Sequence, residues 1–467
     1  ALPSINYQVV IDGTTEPDFA GTPMIELDGS NVDCCEPGLQ ILAGNSIIRG
    51  LVINRFVDYG INILEKGGNL IECNFLGTDV TGTQIEALGN GNGGVGISTP
   101  NNIIGGTKIE ARNVISGNLA HGVQMIGGEA TGNLVQGNYI GTDLTGTMAL
   151  GNGRDGVKFD NAPGNTVGGA RAEARNIISG NARDGVRIQN GTDNVGNATG
   201  NQVLGNYIGT DLTGTIALGN AQNGVFINRA PGNIIGGVTP GARNIISDNR
   251  GNGIRIKDVD ASGNSIQGNF IGTDFTGIYP LGNDETGIKI LSSASNNSIG
   301  GVTTDAGNVI AFNGIGGVLL EATAGSGNAI ERNSFFSNEG LGIDLSGNGI
   351  TSNDADDADT GPNNLQNYPD ISSAAINDTS ELVIGYSVDS DTIHSAYPLT
   401  IQFFISDGSG EGKVLLGNDT WTADDLKAGA KSVNLGHATD LGFSVEDYVV
   451  ATATDSEGNT SEFSKAK

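Results

Sequence analysis

An all-β architecture, a right-handed parallel β-helix solenoid followed by a small antiparallel β-sandwich, is what three features of this sequence predict. One phrase recurs four times, as LGTDVTGTQIEALGN from Leu76, IGTDLTGTMALGN from Ile140, IGTDLTGTIALGN from Ile208 and IGTDFTGIYPLGN from Ile271. Glycine supplies 76 of the 467 residues, about twice its usual share, so turns must be frequent and narrow. After Pro369 the short repeats give way to longer alternating runs, among them LVIGYSV, LTIQFFIS, VLLG and YVVATATD.

Further phrases fill the space between the copies. ARNVISGN at Ala111 returns as ARNIISGN at Ala174, ARNIISDN at Ala242 and, weakened, GNVIAFN at Gly307. A Gly-(Val/Ile)-x-hydrophobic pattern lies at Val95, Val123, Val157, Val186, Val225, Ile254, Ile288, Val318 and Ile343. An Asn-x-(Ile/Val) pattern recurs as GNLVQGN, GNTVGG, GNIIGG and GNSIQGN. Each phrase is a short run of β-branched residues bounded by Gly and Asn, which reads as a brief strand between tight turns, and no helical period competes. Three phrases fit within one Gly-Val interval, so one interval is one three-strand coil, the longer coils carrying the TGTxALGN insertion. Such strands are unstable singly. Stacking the coils in parallel at about 4.8 Å pairs their backbones and buries their Val and Ile. Asn133, Asn165, Asn201, Asn233, Asn264 and Asn297 then share one turn position and are predicted to form a hydrogen-bonded ladder.

IGTDxTGTxALGN together with RNIISGN resembles the repeat of right-handed parallel β-helix proteins of the pectate-lyase-like superfamily, in particular large bacterial surface and secreted proteins. The resemblance runs from about Val9 to Asn348. It implies the solenoid; it implies no single activity, because the superfamily holds lyases, hydrolases, epimerases and non-catalytic adhesins. The predicted divisions are a solenoid over 1–350, an acidic linker over 351–370 and an immunoglobulin-like sandwich over 371–467, whose closing VVATATDSEGNTSEFS resembles the last strands of bacterial immunoglobulin-like domains. VVIDGTT from Val9 already reads as strand and turn, with no capping helix ahead of it. An uncapped solenoid end exposes its core, which predicts either a chain that extends upstream or a first coil closed by another chain.

The balance of 52 acidic against 23 basic residues, a net charge of −29, excludes general nucleic-acid or anionic-membrane binding. No apolar run is long enough to insert into a membrane. The N-terminus has neither a basic start nor an apolar stretch, so the chain is read as secreted or surface-exposed with any export signal removed. Cys34, Cys35 and Cys73 are read as small buried thiols, with a bridge from Cys73 to one of the adjacent pair as the alternative.

Chemistry is expected where side chains point outward. In Gly-Val-x-Ile the Val and Ile face the core, so x faces solvent. Down the stack x is Gln124, Lys158, Arg187, Phe226, Arg255, Lys289, Leu319 and Asp344, with Asp160, Gln189, Asn228, Lys257 and Glu321 as outward neighbours. A ribbon of Lys and Arg on an acidic protein suits an acidic polysaccharide bearing uronate or sulfate groups. Arg187, Gln189, Phe226, Arg255, Lys257 and Lys289 are the expected substrate-binding residues. In a polysaccharide lyase, Lys158 or His121 would remove the proton beside a uronate carboxylate while Arg187 or Arg255 neutralises the developing charge. In a glycoside hydrolase, Asp160 and Asp184, one coil apart, would be the acid and base. The competing function class is a non-catalytic surface stalk or adhesin, which the near-interchangeable coils would suit.

Two further groups have structural readings. Asp79, Asp143, Asp211 and Asp274 of the IGTD phrase recur every second coil, too far apart to share an ion, and are expected to cap turns. Arg112, Arg175 and Arg243 occupy one repeat slot and are expected to hydrogen-bond turn carbonyls. In TSNDADDADTGPNN, by contrast, Asp354, Asp356, Asp357 and Asp359 precede a Gly turn and offer hard oxygen ligands for calcium, although no closing Glu of an EF-hand follows.

Overall fold

The computed structural model describes residues 2–32, 35–191 and 197–467. Eleven coils form three 11-stranded parallel sheets. The first sheet runs from Val10–Asp12 to Ala329–Glu331, the second from Ile25–Asp28 to Ser334–Phe336, and the third from Leu39–Ile41 to Ile343–Ser346. The nine Gly-Val phrases mark nine of the third-sheet strands; the other two, Leu39–Ile41 and Tyr59–Ile63, belong to the first coils. Pairing is in register, so Ile104, Val135, Val167, Val203, Ile235 and Ile266 form one fully buried inward column of the first sheet.

Turn backbones are satisfied by asparagine. The N–H of Asn69 donates to Asn102 Oδ1 at 3.0 Å, Asn102 to Asn133 at 2.8 Å, and the series continues through Asn165, Asn201, Asn233, Asn264, Asn297 and Asn328. Two further ladders occupy the other corners, from Asn74 to Asn333 and from Asn90 to Asn338. The glycine of IGTD is fixed by its backbone. Gly209 has φ +93°, and a Cβ there would stand 2.0 Å from Ser247 O.

The aspartates of IGTD cap their own loops as expected: Asp143 Oδ1 accepts from Thr147 N at 3.0 Å and Met148 N at 3.1 Å. The long loops also join one another, Leu212 N donating to Gly146 O at 3.0 Å and Phe275 N to Gly214 O at 2.9 Å. Arg112, Arg175 and Arg243 each donate Nε to a turn carbonyl, at 3.1, 3.2 and 2.9 Å, and stack over Tyr139, Tyr207 and Phe270. Cys73 is buried, but Cys35 is exposed, against the expectation of a core thiol; Cys34 lies outside the described residues.

The C-terminal unit is two three-stranded antiparallel sheets. One is Asp370–Ile376, Glu381–Ser387 and Lys431–His437; the other has Leu399–Ser406 between Gly412–Trp421 and Val449–Thr454. Trp421, Tyr386 and Phe403 are buried between them, Tyr386 meeting Phe403 edge-on at 5.2 Å. This unit closes the solenoid. Side-chain oxygens take the place of a twelfth coil: Glu411 accepts from Asn338 N at 3.0 Å and Asn338 Nδ2 at 2.7 Å, Glu462 from Leu345 N, Gln402 from Arg332 N, Thr460 from Ile330 N and Asp407 from Ser337 N. From the 351–370 stretch, Asn363 Oδ1 accepts Asn328 N at 2.9 Å and so ends the first ladder. Phe463 seals the core edge-on against Phe335 at 5.6 Å.

Two outcomes follow. Asn201→Ala removes the acceptor of Asn165 N–H inside the stack, and is expected to cost about 1–3 kcal/mol in denaturant titrations, where Lys427→Ala on the exposed sandwich surface changes about 0.5 kcal/mol or less. Burial pushes both Glu411 and Glu462 up to about 7. Carboxyls raised above their unfolded value of 4.5 contribute stability that is complete below that value and lost as pH climbs through 7. Thermal scans are therefore expected to show the sandwich–solenoid junction weakening between pH 4.5 and 7; a junction that strengthens over that interval contradicts the assignment.

Candidate functional site on the third sheet

The expected outward column exists. Gln124, Lys158, Arg187, Phe226, Arg255, Lys289, Leu319 and Asp344 are successive register partners, and Asp160, Gln189, Asn228 and Lys257 run beside them. Val157 and Phe159, Val186 and Ile188, Ile254 and Ile256 point into the core and fix the intervening positions outward.

Most of the cations are already paired. Lys158 Nζ lies 2.7 Å from Asp160 Oδ2, Arg187 Nη1 lies 3.0 Å from Asp184 Oδ2, and Lys289 Nζ lies 2.7 Å from Glu321 Oε1. Amides link the first two pairs: Arg187 Nε donates to Gln189 Oε1 at 2.6 Å and Gln189 Nε2 to Asp160 Oδ1 at 3.2 Å, while Tyr59 OH donates to Gln124 Oε1 at 2.7 Å. Burial raises Asp160, but Lys158 and Gln189 together outweigh it and hold the carboxyl below its ordinary value. Tyr59 is pushed up to about 12 by burial, with Asp58 and Asp160 adding to it.

Beneath this face lies a column that the sequence reading did not assemble. The residue two before each third-sheet Val or Ile is His121, Asp155, Asp184, Asn223, Asn252 and Thr286 in successive coils, all buried. Asp184 Oδ1 accepts from Asn223 N at 3.0 Å and Nδ2 at 2.8 Å, and Asn223 Oδ1 accepts from Asn252. Asp155 Oδ1 accepts Asp184 N at 3.2 Å. His121 Nδ1 stands 3.2 Å from Asp155 Oδ2 but out of line for a hydrogen bond. Burial and then Asp155 raise the Asp184 carboxyl. Reading two positions upstream of every Gly-Val phrase would have found the column.

Three expectations are corrected by this geometry. Asp184 is 0 % exposed with both oxygens engaged, so it cannot face Asp160 across a glycosidic bond. His121 is likewise buried under the face. Phe226 is no sugar platform: it is 7 % exposed, with the guanidiniums of Arg187 and Arg255 over its ring at 4.5 and 5.4 Å.

The 351–370 stretch gathers a second group. Carboxylate oxygens of Asp354, Asp357 and Asp359 lie within 4.8 Å of one another. Asp354 Oδ1 and Asp359 Oδ1 are buried without a hydrogen-bond partner. Asp357 accepts from Ser395 Oγ, from Gln366 Nε2 at 2.7 Å and from Asn367 N at 2.8 Å, and burial pushes it up to about 6. Asp356 does not join them. It is exposed in the left-handed region at φ 62°, and its backbone N–H donates to Asp389.

No protein-family profile and no curated protein matches the chain. Among solved structures it is similar to a periplasmic alginate epimerase, at 13% identity over 64% of this chain and 70% of that chain with a TM-score of 0.37. It is also similar to the enzymatically active domain of tailspike protein 2 of bacteriophage CBA120, at 9% identity over 87% of this chain and 71% of that chain with a TM-score of 0.28. Likenesses this distant carry no information on activity.

Proposed function

We propose that this protein binds a polysaccharide bearing acidic groups along the outward face of the third sheet. The observation that carries the reading is the in-register run of Lys158, Arg187, Arg255 and Lys289 with Gln189, Asn228 and Lys257 beside them. Amide and ion-pair groups at about 4.8 Å intervals offer hydroxyl-binding donors and acceptors along an extended chain. The setting this implies is secreted or surface-exposed, and no described helix is long and apolar enough to cross a membrane. A rigid stalk is the second reading, supported by the regularity of the other two sheets.

Binding in place of cleavage is favoured because the buried Asp184 and His121 and the ion-paired Lys158 leave the face without a presented acid–base pair. Affinity electrophoresis in gels carrying acidic glycans is expected to retard the protein, with neither new reducing ends nor ultraviolet-absorbing unsaturated ends released. Either product would make it an enzyme; no retardation by any glycan would leave the stalk.

The junction carboxylates fit a divalent cation. Asp354, Asp357 and Asp359 supply hard oxygens, and two of these oxygens are buried with nothing to satisfy them. Calcium is the proposed ligand. A cation that binds only the folded state raises the unfolding midpoint, so calcium is expected to stabilise the whole chain by a few degrees over chelator, and Asp357→Asn to abolish the difference. Equal midpoints in calcium and chelator would remove the assignment.

A further inference from the structure

Charge along the third-sheet face is locally neutralised except at one place. Lys158, Arg187 and Lys289 each have a carboxylate within 3.0 Å. Among the described residues no carboxylate lies within ion-pair distance of Arg255, and its Nε is buried with no hydrogen-bond partner. Lys257, two residues along the same strand, stands 4.0 Å from Asp258, which is already held by Arg229 at 3.1 Å. Two cations thus share one carboxylate, beside a third that has none.

The neighbouring strand completes a patch. Phe226 and Asn228 are the register partners of Arg255 and Lys257, so the four side chains stand at the corners of a cell of about 4.8 by 6.6 Å. Phe226 is the apolar floor on which the Arg255 guanidinium rests. Asn228 Oδ1 is buried and has no donor. Both of those unpaired atoms lie under the surface, and what the cell offers a ligand is half-buried Arg255, which has no carboxylate partner, beside Lys257, whose carboxylate is shared; a sugar carboxylate supplies the missing counter-charge and its hydroxyls meet the Asn228 amide group.

Along the stack the same groups discourage further charge. Asp160 lies three coils to one side of Arg255 and Glu321 two coils to the other, about 14 and 10 Å away. Acidic groups on sugars two or three places along would meet those carboxylates, whose partner lysines are already occupied. They would find neutral ion pairs with no cation free to receive them, and would lose hydration for no charge contact in return.

We infer that the face takes a sparsely charged heteropolysaccharide, one acidic sugar seated at Arg255, Lys257 and Asn228 and neutral hydroxyl-rich sugars on either side, rather than a chain charged at every residue. This rests on the reading of the third sheet as a glycan-binding face and narrows it.

The 467-residue chain is tested by isothermal titration against three polymers: gellan, which carries one uronate among several neutral sugars; polygalacturonate, charged at every sugar; and dextran, neutral. Gellan is expected to bind more tightly than either of the others. The double variant Arg255→Gln Lys257→Gln is expected to lose roughly tenfold or more in gellan affinity, with an unchanged circular dichroism spectrum and melting profile. Lys427→Gln Lys467→Gln, at two exposed lysines of the C-terminal unit, removes the same two charges and is expected to bind as wild type. Polygalacturonate binding as tightly as gellan, or the double variant binding gellan like wild type, overturns the single acidic position while leaving the glycan face in place. Silence toward all three polymers overturns the face itself.

Discussion

The whole solenoid depends on coil-to-coil hydrogen bonding. The solenoid strands are two to six residues long, and none has a partner within its own coil, so an isolated coil would leave its amides unpaired. Asparagine extends the pairing from strands to corners. Asn176 donates its backbone N–H to Asn206 Oδ1 at 3.2 Å and its side-chain amide to Val135 O at 2.8 Å, so one residue joins the coil above to the coil below. A ladder of this kind has no natural end. Glu411 and Asn363 finish two of them with side-chain oxygens, which explains why the C-terminal sandwich meets the last coil through acceptors, with Phe463 as its apolar seal.

That dependence also explains what the sequence discloses. Four copies of IGTDxTGTxALGN and nine Gly-Val phrases report a period, and a period with β-branched content specifies stacked strands, so the solenoid, nine of its coils and the outward column from Gln124 to Asp344 were legible. The coil at Leu39–Ile41 was not, because Leu39 stands where the phrase has Val or Ile, and the coil at Tyr59–Ile63 was passed over although Gly60-Ile61-Asn62-Ile63 fits the phrase. Partnerships between side chains were also hidden. Arg187 reaches back across a turn to Asp184, and Lys289 reaches diagonally to Glu321 in the next coil; neither is a pattern of spacing along the chain. Of the four linker aspartates only three converge; Asp356 is exposed, with its backbone N–H on Asp389, although Asp356 and Asp357 share the same left-handed backbone. The six-stranded sandwich has one strand fewer than the roughly seven of the smallest immunoglobulin arrangement, a difference that alternation alone cannot register.

Departures from a repeat cost stability, and here they concentrate under one face. The column that is Asn252 and Asn223 in later coils becomes Asp184, Asp155 and His121 in earlier ones. Asparagine would continue the amide ladder at no electrostatic cost, whereas burial first, and then the neighbouring Asp155 carboxylate, raise the Asp184 carboxyl. Asp184 nonetheless fixes Arg187, Arg187 fixes Gln189, and Gln189 fixes Asp160. The strained column thus acts as an anchor for the outward network above it, and a local rule broken at a cost is where function is expected in an otherwise regular scaffold.

The whole-molecule field bears on which ligand such a network can hold. At a net charge of −29 the protein repels polyanions as they approach, although at physiological salt that repulsion is largely screened beyond about 8–10 Å. Attraction must then come from contact, where paired ions offer little to an approaching anion because each charge is already met. Lys158, Arg187 and Lys289 are in that condition. Arg255 is not, since its guanidinium rests on Phe226 with a buried donor unmet. A face that repels at a distance and attracts at one cell discriminates by charge spacing, not by charge total, because each additional anionic group adds to the long-range term without finding a second free cation.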